Sequence, residues 1–390
     1  MQDIYADLHI HIGKAQNKPI KITGSQKLTF ENILKESAFR KGLDLVGIID
    51  CASPLVLDEI KSLIQNRELT PLKEGGLEYK GKTVVVLGAE LETSEYNGGT
   101  PHFLCFFPYY ENILEFSNFI SQYISNVNLS SQNCKIPASQ LLDITESFGG
   151  ILIPAHAFTP FKSVYGSTCK RLTDIFSPEE IKKIPAVELG LSADSLIADR
   201  IKELHSKTFL SNSDAHSLPK IAREYNVFYV EEPNYKEMLL ALWNKKGRIV
   251  KANYGLDPRL GKYHRTKCLD CNNVAELDPP ILKCNKCGST NIVEGVLDRI
   301  TQIQDFNEIT PRPEYHYQIP LEYIPKVGPK AINKLIEAFG SEMAVLHEAS
   351  FDELKTVVHP NVARNIVLAR QGRLEILSGG GGGYGRIINV

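Results

Sequence analysis

The chain has 390 residues, 43% of them hydrophobic, with 44 Lys and Arg against 46 Asp and Glu and a formal net charge of −2. This length suffices for a large core and more than one domain. The near-neutral charge argues against a protein that coats nucleic acid electrostatically. Without a cationic leader or an apolar run of roughly 18 residues, we expect a cytoplasmic protein with no membrane partner.

Residues 1–255 alternate short β-branched runs with longer amphipathic stretches. LVGIID and TVVVLGAE are typical of strands, and ENILKESAFRKG and YKEMLLALWNKKG are typical of helices. This alternation predicts an α/β domain with a mostly parallel sheet covered by helices. Because residues that carry chemistry follow several different strands, a barrel is favoured over an open sheet.

The composition changes beyond this first unit. A basic segment and a cysteine cluster come first, then a proline-spaced stretch, a compact helical region and a glycine-rich end. The predicted units are a catalytic barrel (1–255), a zinc-binding module (256–308), an extended linker (309–320), a helical DNA-binding domain (321–377) and a flexible tail (378–390).

Side chains suited to divalent metal recur at the ends of the predicted strands of the barrel. His9 and His11 alternate in DLHIHIG, so both point to one face and can chelate one ion. Glu90 ends the run VVVLGAE, where a carboxylate needs a partner or a cation, and Glu92 can take the same role. The other candidates are His102, His156 and the alternating pair Asp214 and His216.

Each candidate has an ordinary structural explanation when it is taken singly, as a hydrogen-bonded core histidine or a surface charge. Together they predict a site for several divalent cations at one mouth of the barrel. Such a site permits metal-assisted hydrolysis of a phosphoester without a side-chain nucleophile. Asp214, Glu92 or Asp50 can accept the proton. The predicted catalytic residues are Asp214, Glu90, His9 and His11.

The motifs DLHIHIG, GAELE and SDAH, with the two isolated histidines, resemble those of the PHP (polymerase and histidinol phosphatase) superfamily over roughly residues 3–250. The resemblance implies a distorted (β/α)7 barrel with two or three divalent cations (Zn²⁺, Mn²⁺ or Mg²⁺) at the strand ends. It further implies one ion held by His9, His11, Glu90 and Asp214, and another held by Glu90, His102 and His156. A third ion would require His216 and two further histidines.

The third site departs from the superfamily pattern. The usual aspartate–histidine pair after the second strand reads Asp50-Cys51 in this chain. Four interpretations stay open: Cys51 replaces a ligand, Asp50 does so, His216 contacts phosphate without a metal, or Cys51 is an isolated core cysteine.

Four of the eight cysteines form two Cys-x2-Cys pairs, Cys268 with Cys271 and Cys284 with Cys287. This spacing predicts one structural Zn²⁺ bound by four thiolates. Four thiolates close the coordination sphere, so no position is left for a substrate. The cysteine usage also fits a reducing compartment.

Basic residues concentrate just before the cysteine pairs, between residues 245 and 267. Of these, Lys262 and Arg265 are predicted to face DNA phosphates. An ordinary solvated surface is the alternative explanation.

The stretch IPKVGPKAINKL, near residue 328, resembles a helix-hairpin-helix element. A tight turn at Gly328 precedes a helix start, where free N–H groups can point at a DNA phosphate. Lys326, Lys330 and Lys334 recur every fourth residue and so line one face, which adds attraction without base specificity. A plain helical bundle is the alternative.

The succession of barrel, four-cysteine module and helical unit resembles the endonuclease Q family over nearly the whole chain. The resemblance implies a DNA repair enzyme that hydrolyses the phosphodiester 5′ to hypoxanthine, uracil, xanthine and abasic sites. Damaged bases leave the stack at a lower cost than intact ones. In the loop AFTPFKSVYG, Phe158, Phe161 or Tyr165 can stack on an everted base, with core packing as the alternative.

Two other functions remain open. A small-molecule phosphatase of the histidinol phosphate type would use the same barrel, and a non-catalytic DNA-binding scaffold would result if the missing histidines had abolished chemistry. The predicted partner is DNA with deaminated bases or abasic sites, and the sequence does not indicate which replication or repair proteins the chain meets.

Overall fold

The structure is a computed structural model that describes residues 1–308, 310–373, 376–377, 382–384 and 386–387. Most strands are short, and the two longest, β1 and β7, carry predicted metal ligands. The strands are β1 (Gln2–Ile10), β2 (Lys14–Ala15), β3 (Lys18–Pro19), β4 (Leu45–Ile48), β5 (Leu69–Pro71), β6 (Leu77–Tyr79), β7 (Thr83–Glu92), β8 (His102–Phe107), β9 (Ile151–Pro154), β10 (Ala186–Glu188), β11 (Thr208–Leu210), β12 (Tyr225–Val230), β13 (Ile249–Gly255), β14 (Lys267–Cys268), β15 (Ile292–Val293), β16 (Glu314–Tyr317), β17 (Ile376–Leu377) and β18 (Arg386–Ile387).

Helices cover this framework and make up most of the chain beyond residue 328. Several begin after a residue such as Thr29 or Asn234, whose side chain accepts a hydrogen bond from a backbone N–H of the first turn. The helices are α1 (Phe30–Lys35), α2 (Pro54–Gln65), α3 (Tyr110–Ile120), α4 (Ala138–Ser147), α5 (Pro178–Lys183), α6 (Ser195–Ala198), α7 (Tyr235–Leu242), α8 (Val296–Ile303), α9 (Pro329–Phe339), α10 (Glu342–His347), α11 (Phe351–Val357) and α12 (Pro360–Arg370).

The main sheet has ten strands and is mixed. Its path runs β16-β13-β12-β1-β4-β7-β6-β5, with β8 bonded to β7 and β9 bonded to β8. The pairs β1–β4 and β4–β7 are parallel, whereas β1–β12, β7–β8 and β8–β9 are antiparallel. The α/β class is therefore confirmed, but the expectation of a mostly parallel sheet is wrong. The connection 93–101 between β7 and β8 is too short for the crossover that parallel pairing requires.

This mixed pairing brings side chains from both strand ends and strand starts to one edge of the sheet. Strands β1, β4 and β7 are parallel, so their carboxyl ends lie together. Strand β8 runs the other way, and its first residue, His102, pairs with Glu92 at the end of β7. His102 therefore reaches the edge of the sheet that carries Glu90 from the beginning of a strand and not from its end.

Both faces of the central strands are buried. Val84 and Val86 of β7 belong to one apolar cluster, whereas Val85 and Leu87 belong to a second, larger cluster. A strand covered on both sides needs apolar residues at every position, which explains the uninterrupted run VVVL.

Residues 310–320, predicted as linker, contribute to this sheet. Strand β16 pairs in parallel with β13, with Ala252 opposite Glu314. The stretch is extended, but it adds a strand to the sheet of the first unit. Residue 309 lies outside the described residues.

The helical region packs directly against the first unit. Lys41 Nζ lies 2.9 Å from Glu342 Oε2 of α10, and both side chains are buried. Met343 belongs to the same apolar cluster as Ile10 of β1. Within the described part of the chain, no helix is long and apolar enough to cross a membrane.

A buried carboxyl group beside β12 provides a test of the packing. Glu224 Oε1 accepts the N–H of Leu256 at 2.7 Å, whereas the buried Oε2 has no hydrogen-bond partner. Burial raises the pKa of Glu224 to about 8 from a usual value of 4.5. The folded chain therefore keeps a proton that the unfolded chain has lost, and the free energy of unfolding should fall as pH rises between these values.

We expect Glu224→Gln, which cannot ionise, to melt at a higher temperature than the wild type at about pH 9, and to lose much of this advantage at about pH 5. Thermal unfolding followed by circular dichroism at both pH values measures the difference. Glu115→Gln, on the exposed face of α3, is the control. An equal difference at both pH values would contradict the assignment.

Candidate metal centre and active-site cavity

Buried imidazole and carboxylate groups meet at the carboxyl ends of β1 and β7. Glu90 Oε1 lies 3.6 Å from His9 Nε2, and Glu90 Oε2 lies 3.7 Å from His11 Nε2. Both distances exceed those of hydrogen bonds, and both Nε2 atoms are buried without a hydrogen-bond partner. Orphaned buried nitrogens that face a carboxylate are suited to a cation held between them, so the donor set fits a metal ion.

Glu90 also belongs to a second group of donors. Its Oε1 atom lies 3.1 Å from His102 Nδ1 and 3.2 Å from His156 Nε2. One carboxylate therefore faces two separate pairs of histidines. This is the geometry required of a ligand that bridges two cations.

Asp214 joins a third group with His11 and His216. Its Oδ1 atom lies 3.5 Å from His9 Nε2, 3.3 Å from His11 Nε2 and 3.4 Å from His216 Nδ1. Asp214 has a φ of 44°, which is costly for a residue other than glycine and is typical of functional sites. Arg223 holds this turn, since its guanidinium donates to the carbonyls of Ser213 at 2.7 Å and Asp214 at 3.2 Å.

The structure thus brings all seven predicted active-site ligands together. They come from segments up to about two hundred residues apart in the sequence and converge on one edge of the sheet. These ligands are His9, His11, Glu90, His102, His156, Asp214 and His216.

The site has an excess of negative charge. Burial lowers the pKa of His9, but Glu188 and Asp214 outweigh this effect and raise it to about 10. Burial also lowers the pKa of His102, but the carboxylate of Glu90 outweighs this effect and raises the pKa to about 9. The carboxylates therefore require compensating positive charge, from protons or from cations. Burial lowers the pKa of His216 to about 4, which keeps its imidazole neutral and able to ligate near neutral pH.

Glu188, which the sequence analysis missed, orients His9 from behind. Both carboxylate oxygens lie 3.0 Å from His9 Nδ1. The Asn212 amide and the His156 backbone N–H donate to the same carboxylate at 2.9 and 2.7 Å. Since Nδ1 donates to Glu188, Nε2 is left as the free ligand atom. The sequence contained a signal for Glu188, because this carboxylate ends the apolar strand AVE just as Glu90 follows the run VVVLGA.

Replacing Glu188 by alanine should therefore weaken metal binding by roughly 10- to 100-fold without unfolding the chain. Isothermal titration of the chelator-treated protein with Mn²⁺ measures the affinity, and circular dichroism checks the fold. Glu179→Gln, at an exposed position in α5, serves as the control. Unchanged affinity in a folded Glu188→Ala protein would remove Glu188 from the site.

Asp50 acts on His11 in the same way that Glu188 acts on His9. Asp50 Oδ2 lies 3.1 Å from His11 Nδ1 and accepts the N–H of Ile12 at 2.7 Å. The neighbouring Cys51 is fully buried, and its thiol donates to the carbonyl of Ile48 at 3.1 Å. The ligand interpretation of Cys51 is therefore wrong, and the core-cysteine interpretation describes this residue.

Glu92 lies at the side of the ligand cluster. It forms an ion pair with Lys162, accepts a hydrogen bond from Asn133 at 2.8 Å and lies 3.4 Å from His102 Nε2. Glu90, and not Glu92, lies between the two histidine pairs, and Glu92 connects His102 to a cationic side chain.

A cavity of about 780 Å³ opens above the ligand cluster. Its floor contains Glu90, Asp214, His102, His156 and His216, and its walls carry cations and aromatic rings. A positively charged wall above an acidic floor suits a phosphodiester held by metal on one side and by side chains on the other. The cationic residues are Lys21, Lys162, Lys220, Arg223 and Lys262, and the aromatic residues are Phe161, Tyr263 and Tyr384.

Only one of the three aromatic residues predicted for base stacking faces this cavity. Phe161 lines it and is 53% exposed. Phe158 and Tyr165 are fully buried and stack on each other with ring centroids 5.3 Å apart. The Tyr165 hydroxyl donates to Glu203 at 2.9 Å. The interpretation of Phe158 and Tyr165 as base-stacking residues is therefore wrong, because both belong to the core beneath the loop.

The four predicted zinc ligands form one cluster. The sulfur atoms of Cys268 and Cys287 are 3.7 Å apart, and those of Cys271 and Cys284 are 3.5 Å apart. Sulfurs around one tetrahedral zinc are separated by about 3.8 Å, whereas a disulfide would bring them to about 2 Å. The backbone N–H of Cys287 lowers the pKa of Cys284 to about 6, which favours the thiolate. The donor set fits one structural Zn²⁺.

Four of the eight cations in the basic segment before the cysteines, Arg248, Lys251, Arg259 and Arg265, form ion pairs with acidic side chains. The Arg265 side chain is 13% exposed, with Nε 3.2 Å from Asp298, so it stabilises the module instead of facing phosphate. Arg259 pairs with Asp257 in the same way. The predicted phosphate contact of Arg265 is therefore wrong, whereas Lys262 lines the cavity.

The predicted DNA-contacting face of α9 is open to solvent. Gly328 caps the helix, and Pro329 is its first residue. Lys330 and Lys334 of α9 are exposed, as are Gly328 and Lys326. Lys326 precedes the helix and has a φ of 70°, so helical spacing does not place it on the face of Lys330 and Lys334, and that part of the prediction is wrong. Contact of this face with DNA stays a prediction.

We compared the chain with known proteins, and it matches one relative over nearly its whole length. No protein-family model matches it. It is 46% identical to the uncharacterized protein YqxK of Bacillus subtilis over 391 residues, which covers 99% of this chain and all of the relative.

Two solved structures match equally well. The lesion-specific endonuclease PfuEndoQ from Pyrococcus furiosus has a TM-score of 0.83 and 34% identity over 99% of this chain and 95% of that chain. A structure of endonuclease Q with a 27-mer duplex and an abasic lesion at the active site has a TM-score of 0.83 and 33% identity over 99% of this chain and 96% of that chain. The chain therefore belongs to the endonuclease Q family.

Proposed function

We propose that this protein is a metal-dependent DNA repair endonuclease that hydrolyses the phosphodiester 5′ to abasic sites and to the deaminated bases uracil, hypoxanthine and xanthine. The observation that carries the proposal is the position of Glu90 between two histidine pairs at the floor of a cavity with cationic walls. Similarity over the whole chain to an endonuclease Q that holds lesion-bearing duplex supports the choice of substrate.

The side chains divide the chemistry among them. When bound, two or three divalent cations (Zn²⁺, Mn²⁺ or Mg²⁺) supply an acidified water and positive charge for the phosphate. The seven clustered ligands would hold them, and Glu188 and Asp50 would keep the imidazoles of His9 and His11 in the ligating orientation. Lys162 and Lys262 on the walls would bind the non-bridging oxygens and the flanking phosphates, whereas Arg223 would hold the turn that carries Asp214.

The remaining parts of the chain are assigned supporting roles. We propose that the main sheet curves into a distorted (β/α)7 barrel and that the four cysteines hold one Zn²⁺. The exposed lysines of α9 would contact the duplex backbone in the manner of a helix-hairpin-helix domain. The cytoplasmic location and the predicted domain limits stay predictions.

The test uses end-labelled duplexes with a single uracil, hypoxanthine, xanthine or abasic site, incubated with the full chain and Mg²⁺, Mn²⁺ or Zn²⁺. We expect a nick on the 5′ side of the lesion that EDTA and Asp214→Asn both abolish. Hydrolysis of histidinol phosphate without any nick would indicate the phosphatase instead. Tight binding of the duplexes without cleavage under any ion would indicate the non-catalytic scaffold.

A further inference from the structure

The cavity contains an aromatic residue from the end of the chain. Tyr384 lies in the segment between β17 and β18, which pair antiparallel. The backbone N–H of Gly382 donates to the carbonyl of Lys262 at 2.9 Å and so ties this segment to the cavity wall. The tail 378–390 was predicted to be flexible. Residues 378–381, 385 and 388–390 lie outside the described residues, but Tyr384 has defined partners.

Two cations hold the Tyr384 ring in place. Arg223 Nη1 lies 3.3 Å from the phenolic oxygen and donates to it. The ammonium of Lys262 lies 4.6 Å from the ring centroid, a cation–π distance. The same Arg223 donates to the backbone carbonyl of the candidate ligand Asp214. The ring is therefore linked through one guanidinium to the turn that carries a candidate metal ligand.

The ring nevertheless leaves a large apolar surface uncovered. Tyr384 is 42% exposed and Phe161 is 53% exposed, although both line the same cavity. An oriented aromatic ring that is left half exposed inside a cavity is suited to cover another flat group. A nucleobase is such a group, because every base presents a π-face whatever its hydrogen-bonding edge.

We propose that Tyr384 is a specificity-determining residue that stacks on the base extruded from the duplex, so that its ring completes the pocket for deaminated nucleotides. This inference rests on the proposed function. The predicted chemistry separates two substrate classes, because an abasic site offers a phosphodiester to the metal cluster but no base to the ring.

The test compares single-turnover cleavage of a uracil duplex and an abasic duplex by the full chain. Stacking on aromatic side chains is worth enough per base that Tyr384→Ala should lower the uracil-to-abasic rate ratio by roughly 10- to 100-fold. Tyr384→Phe, which keeps the ring, should retain most of the ratio. Tyr96→Ala, at a tyrosine that is 96% exposed, is the matched control and should leave both rates unchanged.

A second measurement does not depend on catalysis. Fluorescence anisotropy with the Asp214→Asn chain, which should bind without cutting, gives the dissociation constants of the same two duplexes, and adding Tyr384→Ala should weaken binding of the uracil duplex selectively. Loss of cleavage on both duplexes to the same extent, or no loss on either, would overturn the stacking role. A wild-type chain that cuts neither duplex would overturn the proposed function, before any variant is compared.

Discussion

Glu90→Gln should lower the rate of lesion-strand cleavage by roughly a thousandfold, or about 4 kcal/mol of transition-state stabilisation. Glutamine keeps the size of the side chain but removes the negative charge. Glu90 faces His9 and His11 on one side and His102 and His156 on the other, so one substitution weakens two cation sites. Single-turnover cleavage of an abasic duplex measures the rate.

Metal analysis separates this effect from misfolding. Glu90→Gln should lose active-site ions but retain the one zinc of the cysteine cluster, and its circular dichroism should match the wild type. Glu115→Gln, a solvent-exposed charge removal in α3, should keep both activity and metal content. A Glu90→Gln protein with full metal content and full cleavage rate would show that Glu90 does not bridge.

Cys284→Ser is expected to release the structural zinc and to unfold the module around it. Within residues 267–293, all of which the structure describes, the buried side chains are those of Cys268, Ala275 and Cys284. So few apolar contacts cannot stabilise a module of this size, and binding of the ion supplies most of its folding free energy. The loss should amount to several kcal/mol within the module.

Zinc content and limited proteolysis measure this loss. The Cys284→Ser chain should contain one zinc fewer than the wild type and should be cleaved by protease between residues 267 and 293, while any ions bound at the Glu90 cluster remain. Cys105→Ala, which removes a buried cysteine outside the cluster, should keep the full zinc content. Undiminished zinc and unchanged protease resistance in Cys284→Ser would rule out the four-thiolate site.

The clustered candidate metal ligands could be recognised in the sequence because their chemistry is local. His9 and His11 share a face through the period of a strand, and the two cysteine pairs have the spacing of a zinc knuckle. Glu90 was recognisable because a carboxylate at the end of an apolar strand requires compensation. In each case the prediction depends only on residue type and short-range spacing, and not on the fold of the rest of the chain.

Partners from distant segments could not be predicted in this way. Glu188 is 179 residues from His9, and Tyr384 is 161 residues from Arg223. Arg265 looked like a free cation until the tertiary structure placed it beside Asp298.

The sequence by itself therefore determined which side chains can bind metal and which family the chain resembles, since both depend on residue identity and order. The tertiary structure alone decided the antiparallel course of β8, the orientation of each imidazole and the composition of the cavity walls. The reason is physical: burial, charge pairing and hydrogen bonding depend on which remote segments the fold brings within a few ångströms.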